Sequence, residues 1–436
     1  MDDSLKLKKA TYHLYTFMIS KMVSTFGAQV YTFAISFYIL QLTGSATSFA
    51  TNLICNILPR TILSPFAGAI TDRYSKKKIV ILSQIATTLT IIILLGITLT
   101  SGLSLITIYI TTAILSLTSM FSGIAFTSSI TSLIDQNRIQ KAMSLNQMAI
   151  SFAAIGSPAV GGILYGTVSI PVFLLIYIGA SIIAVILEST MNFKLFATEK
   201  QPVEGEQKES MWQSMKAGIS YLKLQRVIMI MIWIGLLVNF LFGAFEVGYS
   251  YILIEKLKME SQHFGLTQGA FSLGMLVMSI YFSMRKEVRF PLLVSKRGII
   301  GLGLILASIT VPLLIPMSYF VQVGFYMLIM LAFGGMIIVV NTPLQVMLQK
   351  TIADEYKGRV FSILETMSMA LMPLGMVLYG FLYDILPAHW VLIVSAAMLI
   401  IVILSMARPT VVKKAHPEWE GKGFSFVKSK VKSVSS

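Results

Sequence analysis

Apolar residues in this chain do not alternate with polar ones. They gather in continuous blocks at about 14–41, 46–70, 79–100, 104–130, 143–168, 171–194, 227–254, 266–284, 298–316, 318–347, 362–386 and 388–407. Each block predicts a helix that can bridge the roughly 30 Å hydrocarbon layer at about 1.5 Å per residue. Membrane strands would need short alternating segments, so a barrel is excluded. The expected fold class is an all-α membrane protein with twelve transmembrane helices.

Composition agrees with the pattern. Of 436 residues 56% are hydrophobic and 12% charged, with mean hydropathy +0.79, whereas soluble domains carry roughly 25% charged residues. The net charge of +15 would suggest nucleic acid in a soluble protein. Of the 34 Lys and Arg, however, 30 fall in seven short segments on one side of the expected spans, Lys256 and Lys258 lie on the other, and Lys21 and Arg60 lie within helices. That asymmetry predicts a multi-pass cell-membrane protein with both termini cytoplasmic, and no nucleic-acid partner. The first span follows Lys6, Lys8 and Lys9, lacks a convincing cleavage site and reads as a retained signal anchor.

The longest polar stretch divides the chain six plus six. The expected division is 1–197 for an amino-terminal bundle, 198–226 for a cytoplasmic linker, 227–407 for a carboxy-terminal bundle and 408–436 for a basic tail. Within the linker Trp212, Met215, Ile219 and Leu222 recur at helical spacing beside Lys216 and Lys223, the pattern of a helix lying on the inner leaflet. The halves resemble each other at one place. Asp135, Arg138 and Ser144 lead into a helix ending Gly162-Ile-Leu-Tyr-Gly166; Asp354, Arg359 and Ser362 lead into one ending Met376-Val-Leu-Tyr-Gly380. Two even-numbered halves keep the same orientation, so an axis along the membrane normal is expected.

The run Gly68-Ala-Ile-Thr-Asp72-Arg73-Tyr-Ser-Lys76-Lys77-Lys78 joins spans two and three. Its glycine permits close helix approach, and Asp72 beside four cations can exchange ion-pair partners as the halves rock. The run resembles the signature of the major facilitator superfamily and sits in the corresponding loop. Gln41-Leu-Thr-Gly-Ser45, Leu58-Pro59, Gly156-Ser-Pro158-Ala-Val-Gly161-Gly162, Thr342-Pro343 and Gly358-Arg359-Val360 resemble the macrolide-efflux branch of drug exporters. The resemblance implies two six-helix bundles around a central cavity, no cofactor, and Gly68, Asp72, Arg73, Lys76, Lys77 and Lys78 acting at the gate. The cluster of Gly156, Pro158, Gly161 and Gly162 is similar to the family's antiporter motif, where small residues and a proline give a pliable helix, although Ser157 departs from its order; helix packing explains these glycines equally well. Span four has no arginine where many proton-coupled relatives carry one.

The residues themselves offer further candidates. Asn52, Asn56, Arg60 and Ser64 are spaced by four along span two, and a cation near the bilayer midplane must face the interior or water. Glu246 is the only carboxylate well inside a span away from the cytoplasmic ends, and Asn239 lies seven residues before it. Asn52, Asn56, Arg60 and Glu246 are therefore the expected substrate-recognition or proton-coupling residues. A structural salt bridge, or a surface charge in an outer vestibule, is an equal alternative. Lys21, Thr25 and Gln29 form a second stripe, with Lys21 expected to snorkel to the inner face; Glu188, Glu365 and Asp384 are expected at interfaces. The 26 Met, 26 Phe and 17 Tyr are compatible with an adaptable apolar pocket.

No phosphate loop is present, the four histidines, His13, His263, His389 and His416, match no metal spacing, and the lone Cys55 excludes a thiolate cluster. Enzyme catalysis is not expected. The expected function is secondary active export of a small amphiphilic substrate, drug or metabolite, against protons, with membrane lipids as surroundings and a monomer as one option for the working unit. The alternatives are a siderophore exporter, an importer or a lipid translocator of the same fold, or a non-transporting membrane sensor or scaffold.

Overall fold

The computed structural model describes residues 3–135, 138–193, 195–196, 220, 225–285, 288–352, 360, 363–364, 367 and 370–415. The linker helix expected around Trp212 to Leu222 lies outside them apart from Ser220, as do Asp354, Arg359, Ser362, Glu365 and His416. The long helices among the described residues are α1 (Asp3–Thr43), α2 (Ala46–Arg73), α3 (Lys76–Thr100), α4 (Leu105–Ser128), α5 (Ile139–Thr167), α6 (Ile170–Thr190), α7 (Arg226–Tyr251), α8 (Ser261–Met284), α9 (Pro291–Ser308), α10 (Tyr319–Thr351), α11 (Met372–Ile385) and α12 (Ala388–Met406). Among the described residues ten helices are long and apolar enough to cross a membrane. The remaining two of the expected dozen are α2, which has the length but carries Asn52, Asn56 and Arg60, and α11, whose 14 described residues are preceded by a stretch outside the described part.

Local chemistry sets the joints. Gly44 has φ +59, which an L side chain rarely adopts, and it turns the chain from α1 into α2. Ser45 then caps α2, its hydroxyl accepting from the Ser48 N–H at 3.2 Å. Beyond Tyr251 the helix widens into a π-helical turn, Ile252–Lys256.

The packing repeats with a shift of six helices. In the first half α1 packs on α5 and α6, α2 on α4, and α3 on α4 and α6; in the second α7 packs on α11 and α12, α8 on α10, and α9 on α10 and α12. The halves meet through two reciprocal pairs, α2 with α11 and α8 with α5. The short sequence repeat has a physical counterpart. A side chain on Gly166 would strike the Ser261 hydroxyl at 2.9 Å, and one on Gly380 would strike the Ala50 methyl at 2.8 Å and Thr47 Cα at 3.1 Å. Each glycine seats its helix on the start of the other half's second helix.

One end of the helical array carries the junction of α2 with α3 and the amino terminus, and is called the basic end here. At the opposite end the halves share a core in which Phe33, Phe49 and Ala50 join the same cluster as Tyr249, Phe264 and Tyr383. Toward the basic end the cores separate. Leu14, Phe17, Phe126, Leu133 and Phe193 cluster within the first half, and Ile228, Ile232, Ile352, Val360 and Ile363 within the second. Apolar side chains bury where neighbours exclude water, so separate cores at one end and a common core at the other describe halves that part toward the basic end.

Candidate transport site and gates

The cluster around Pro158 is a packing seam with two faces. Positions 156 and 161 meet α1: a side chain on Gly156 would lie 3.2 Å from the Phe26 ring, and one on Gly161 2.9 Å from Phe33. Position 162 meets the other half. A Cβ there would lie 2.3 Å from the Ser261 carbonyl oxygen, and a Cβ on Gly265 of α8 would lie 2.3 Å from the Pro158 carbonyl oxygen. The Ser261 hydroxyl donates to the Gly162 carbonyl at 2.9 Å, and the Ser272 hydroxyl to the Ala154 carbonyl at 3.0 Å. These contacts close the opposite end and leave no room for larger residues.

The second closure at that end was not anticipated. Asp384, near the end of α11, accepts from the Ser45 hydroxyl at 2.8 Å, the Ala46 N–H at 2.7 Å and the Thr47 N–H at 3.1 Å. It is exposed, yet it engages the amino-terminal N–H groups of α2 from the other half. Beside this closure a cavity of about 580 Å³ opens between Phe37, Gln41, Tyr165, Glu255 and Gln262, with the Tyr165 hydroxyl donating to Gln41 Oε1 at 2.6 Å.

Along α2 the expected polar stripe has two fates. Asn52 is buried and accepts from the Thr112 hydroxyl at 2.9 Å, and the Asn56 backbone carbonyl accepts from Ser116. These two sites fasten α2 to α4. Arg60 is exposed, while Leu58 and Ile62, each two residues away, are exposed about 200° around the helix. The apolar pair marks the lipid side, so Arg60 looks toward the space between the halves. Glu246 is half-buried on α7. One turn before it, Gly243 packs backbone to backbone on Gly375 of α11, and its neighbour Phe245 stacks on Phe333 at 4.2 Å. The ion pairs found among the described residues are Arg138 with Asp135, Lys258 with Glu255 and His263 with Glu260. Arg60 and Glu246 are therefore not brought together as a salt bridge.

At the basic end Gly68 has nothing among the described residues within 4 Å of where its side chain would stand. Asp72 and Arg73 lie in the last turn of α2, and their side chains are outside the described part. Lys76 Nζ donates to the Ser128 carbonyl at 2.6 Å; Lys77 Nζ donates to the carbonyls of Ser189 at 2.9 Å and Met191 at 3.0 Å; Lys78 is exposed. Two of the three lysines thus tie the start of α3 to the carbonyl ends of α4 and α6, where cations are favoured.

One residue departs from its expected surroundings. Glu188 on α6 is 2% exposed and accepts from the Ser20 hydroxyl at 2.8 Å, so it lies in a helix seam and not at an interface. Lys21 is half-buried, and its Nζ reaches to within 4.0 Å of the point where a side chain on Gly123 of α4 would begin. Hydropathy reports depth along a span but not which neighbour covers each face, which is why Glu188 was misplaced.

Comparison with known proteins supplies the family. The family model described as Major Facilitator Superfamily matches residues 17–371 and, in a second overlapping match, 293–435. The chain is 23% identical over 392 residues to macrolide efflux protein A of Streptococcus pyogenes, covering 89% of this chain and 94% of that protein. Among solved structures, the nucleoside transporter NupG superposes with a TM-score of 0.68 at 15% identity, over 91% of this chain and 98% of that one. A bacterial homologue of the iron transporter ferroportin in its inward-facing state superposes at 0.64 and 15%, with the same coverage. At such identities the structural likeness speaks for the fold, and the family is one of transport proteins, not enzymes. With its profile matched over most of its length, the chain belongs to the major facilitator superfamily.

Proposed function

We propose that this chain is a secondary active transporter that exports amphiphilic drugs or metabolites by alternating access, with protons moving the other way. The observation that carries this reading is the arrangement of cores: the halves share one at the opposite end and have separate ones at the basic end. Because α2 with α11 and α8 with α5 are related by the repeat, tilting about these pairs would exchange which end is closed. The extended similarity to macrolide efflux protein A supports an amphiphilic drug as substrate. The charge asymmetry supports a cytoplasmic basic end, so that this conformation would take substrate from the cytoplasm.

In this proposal residues 1–197 and 227–407 are the moving bundles, joined by 198–226 and followed by the tail 408–436, and one copy of the chain suffices. Gly68, Asp72 and Arg73 close the basic end when the halves tilt, with Lys76 and Lys77 bracing the loop. Arg60 and Glu246 face the substrate path, Asn52 and Asn56 hold α2 in register beneath it, and Gly156, Pro158, Gly161 and Gly162 form the bearing. The test is accumulation of erythromycin in cells with and without the chain. The reading expects lower accumulation when the chain is present, abolished by a protonophore; equal accumulation in both would count against it.

A further inference from the structure

The seam between α1 and α6 holds a buried carboxylate, Glu188. Ser20 donates to Glu188 Oε1, whereas Oε2 is buried without a hydrogen-bond partner among the described residues. Nearer the basic end on the same seam, His13 is 4% exposed; its Nε2 accepts from the Asn192 N–H at 3.4 Å, and its Nδ1 is likewise buried without a partner among the described residues. Thr16, 4% exposed, lies between His13 and Ser20 on α1, and Asn192, which is exposed, follows the end of α6. His13, Thr16, Ser20 and Glu188 thus make a row of buried polar side chains that carries two orphaned atoms. Natural interiors rarely leave such atoms unserved, and a water is their usual partner.

Among the described residues, the following charged and titratable groups face this row. From α1 come His13 and Lys21, with Lys9 one turn nearer the basic end and Tyr12, whose hydroxyl donates to the Thr190 hydroxyl at 2.9 Å. From α3 comes Lys77, held on the carbonyls of Ser189 and Met191. The only charged residue within α5, Lys141, is exposed. Among the described residues Lys21 is the cation that acts on Glu188, yet the two form no ion pair in this conformation.

We propose that Glu188 is a proton-binding site of the first half, loading and unloading along the seam from the basic end, with Lys21 as its alternating counter-ion. The proposal rests on the antiport reading above. In the loaded state the carboxylate has taken a proton from a hydronium ion, leaving water; the neutral acid shares its hydrogen bond with Ser20, and Lys21 is released toward α4. In the unloaded state the proton has returned to water, and Lys21 swings onto the vacated Oε2. The change of charge is felt at the gate because Lys77 fastens the loop after α2 to the helix that carries Glu188.

The test has two arms. In the first, infrared difference spectra of the full chain in lipid nanodiscs are recorded across pH for the wild type, Glu188→Gln and Glu246→Gln. The proposal expects a pH-dependent carboxylic C=O band that disappears in Glu188→Gln and survives in Glu246→Gln; a band set unchanged by Glu188→Gln would overturn it. In the second, proteoliposomes are loaded with erythromycin. Glu188→Gln should retain counterflow and lose accumulation driven by a pH gradient, and retention of both at wild-type levels would overturn the proposal. Should Glu188→Gln fold poorly, Glu188→Asp and Ser20→Ala replace it: each should displace the pH profile of driven transport, and profiles identical to wild type would make Glu188 merely structural. Absence of erythromycin flux in the wild type would sink the exporter reading alone, since the infrared arm still judges Glu188.

Discussion

Asp384 and Ala46 are separated by 338 positions and belong to different halves, yet the carboxylate of one accepts the backbone N–H of the other at 2.7 Å. With Ser45 and Thr47 as further donors, this acid serves as an amino-terminal cap supplied in trans across the interface between the halves. An interaction made across the halves at one end can exist only while that end is closed.

Removing the cap should therefore shift the conformational balance without unfolding the protein. Caps are typically worth about 1 kcal/mol, and less where solvent screens the charge as it does here. Asp384→Ala should raise the population open at the opposite end several-fold, read as longer distances between spin labels at Leu42 and Leu386 on a Cys55→Ser background. Identical distance distributions in wild type and variant would refute the latch.

Glycines at the two ends should behave oppositely. Gly162→Ala places a methyl 2.3 Å from a backbone carbonyl, so α5 and α8 must move apart, at a cost of about 1–3 kcal/mol by analogy with overpacked cores. Its melting temperature should fall. Gly68→Ala meets open space in this conformation, so its melting temperature should stay near wild type while transport falls if the basic end must close around it. A loss of stability in Gly68→Ala, measured by thermal unfolding in detergent, would contradict the open basic end.

Because Arg60 and Glu246 form no ion pair, Arg60→Gln and Glu246→Gln should have additive effects on transport, and exchanging the two charges should not restore it. A rescue by the swapped pair in an efflux assay would show that they meet. Glu246→Gln is also expected to flatten the pH dependence of driven export.

Asp72→Ala should impair transport while leaving membrane insertion intact, and full activity in vesicles would count against its place at the gate. Lys77→Ala differs: it removes two charge-assisted bonds to the end of α6. On partly solvated groups these are worth about 1 kcal/mol together. Both stability and transport should drop in Lys77→Ala, whereas Lys78→Ala, on an exposed lysine, should change neither.

The helices were legible because a bilayer solvent demands long apolar runs, and the halves because Gly162–Gly166 and Met376–Gly380 keep a common ending where each helix must approach its partner's first turn. The polar positions were legible only in part. The spacing of Asn52, Asn56 and Arg60 correctly placed them on one side of α2, but a stripe drifts. Its first member turns into α4 and its last toward the gap between halves. Lys76 and Lys77 also reach carbonyls at the ends of α4 and α6, which sequence proximity to Asp72 does not reveal. Asp384 and Glu188 were read as interfacial because both lie close to span ends; what distinguishes them is the helix packed against each, and no periodicity encodes that.

The most direct test of the account measures both ends of the interface that the α5–α8 and α2–α11 contacts form, in one protein under one set of conditions. Spin-label pairs at Met143 and Met284 report the basic end, and at Leu42 and Leu386 the opposite end. On shifting pH or adding erythromycin, alternating access predicts that one distance lengthens as the other shortens. Two distances that lengthen together, or that stay fixed while substrate crosses, would contradict it.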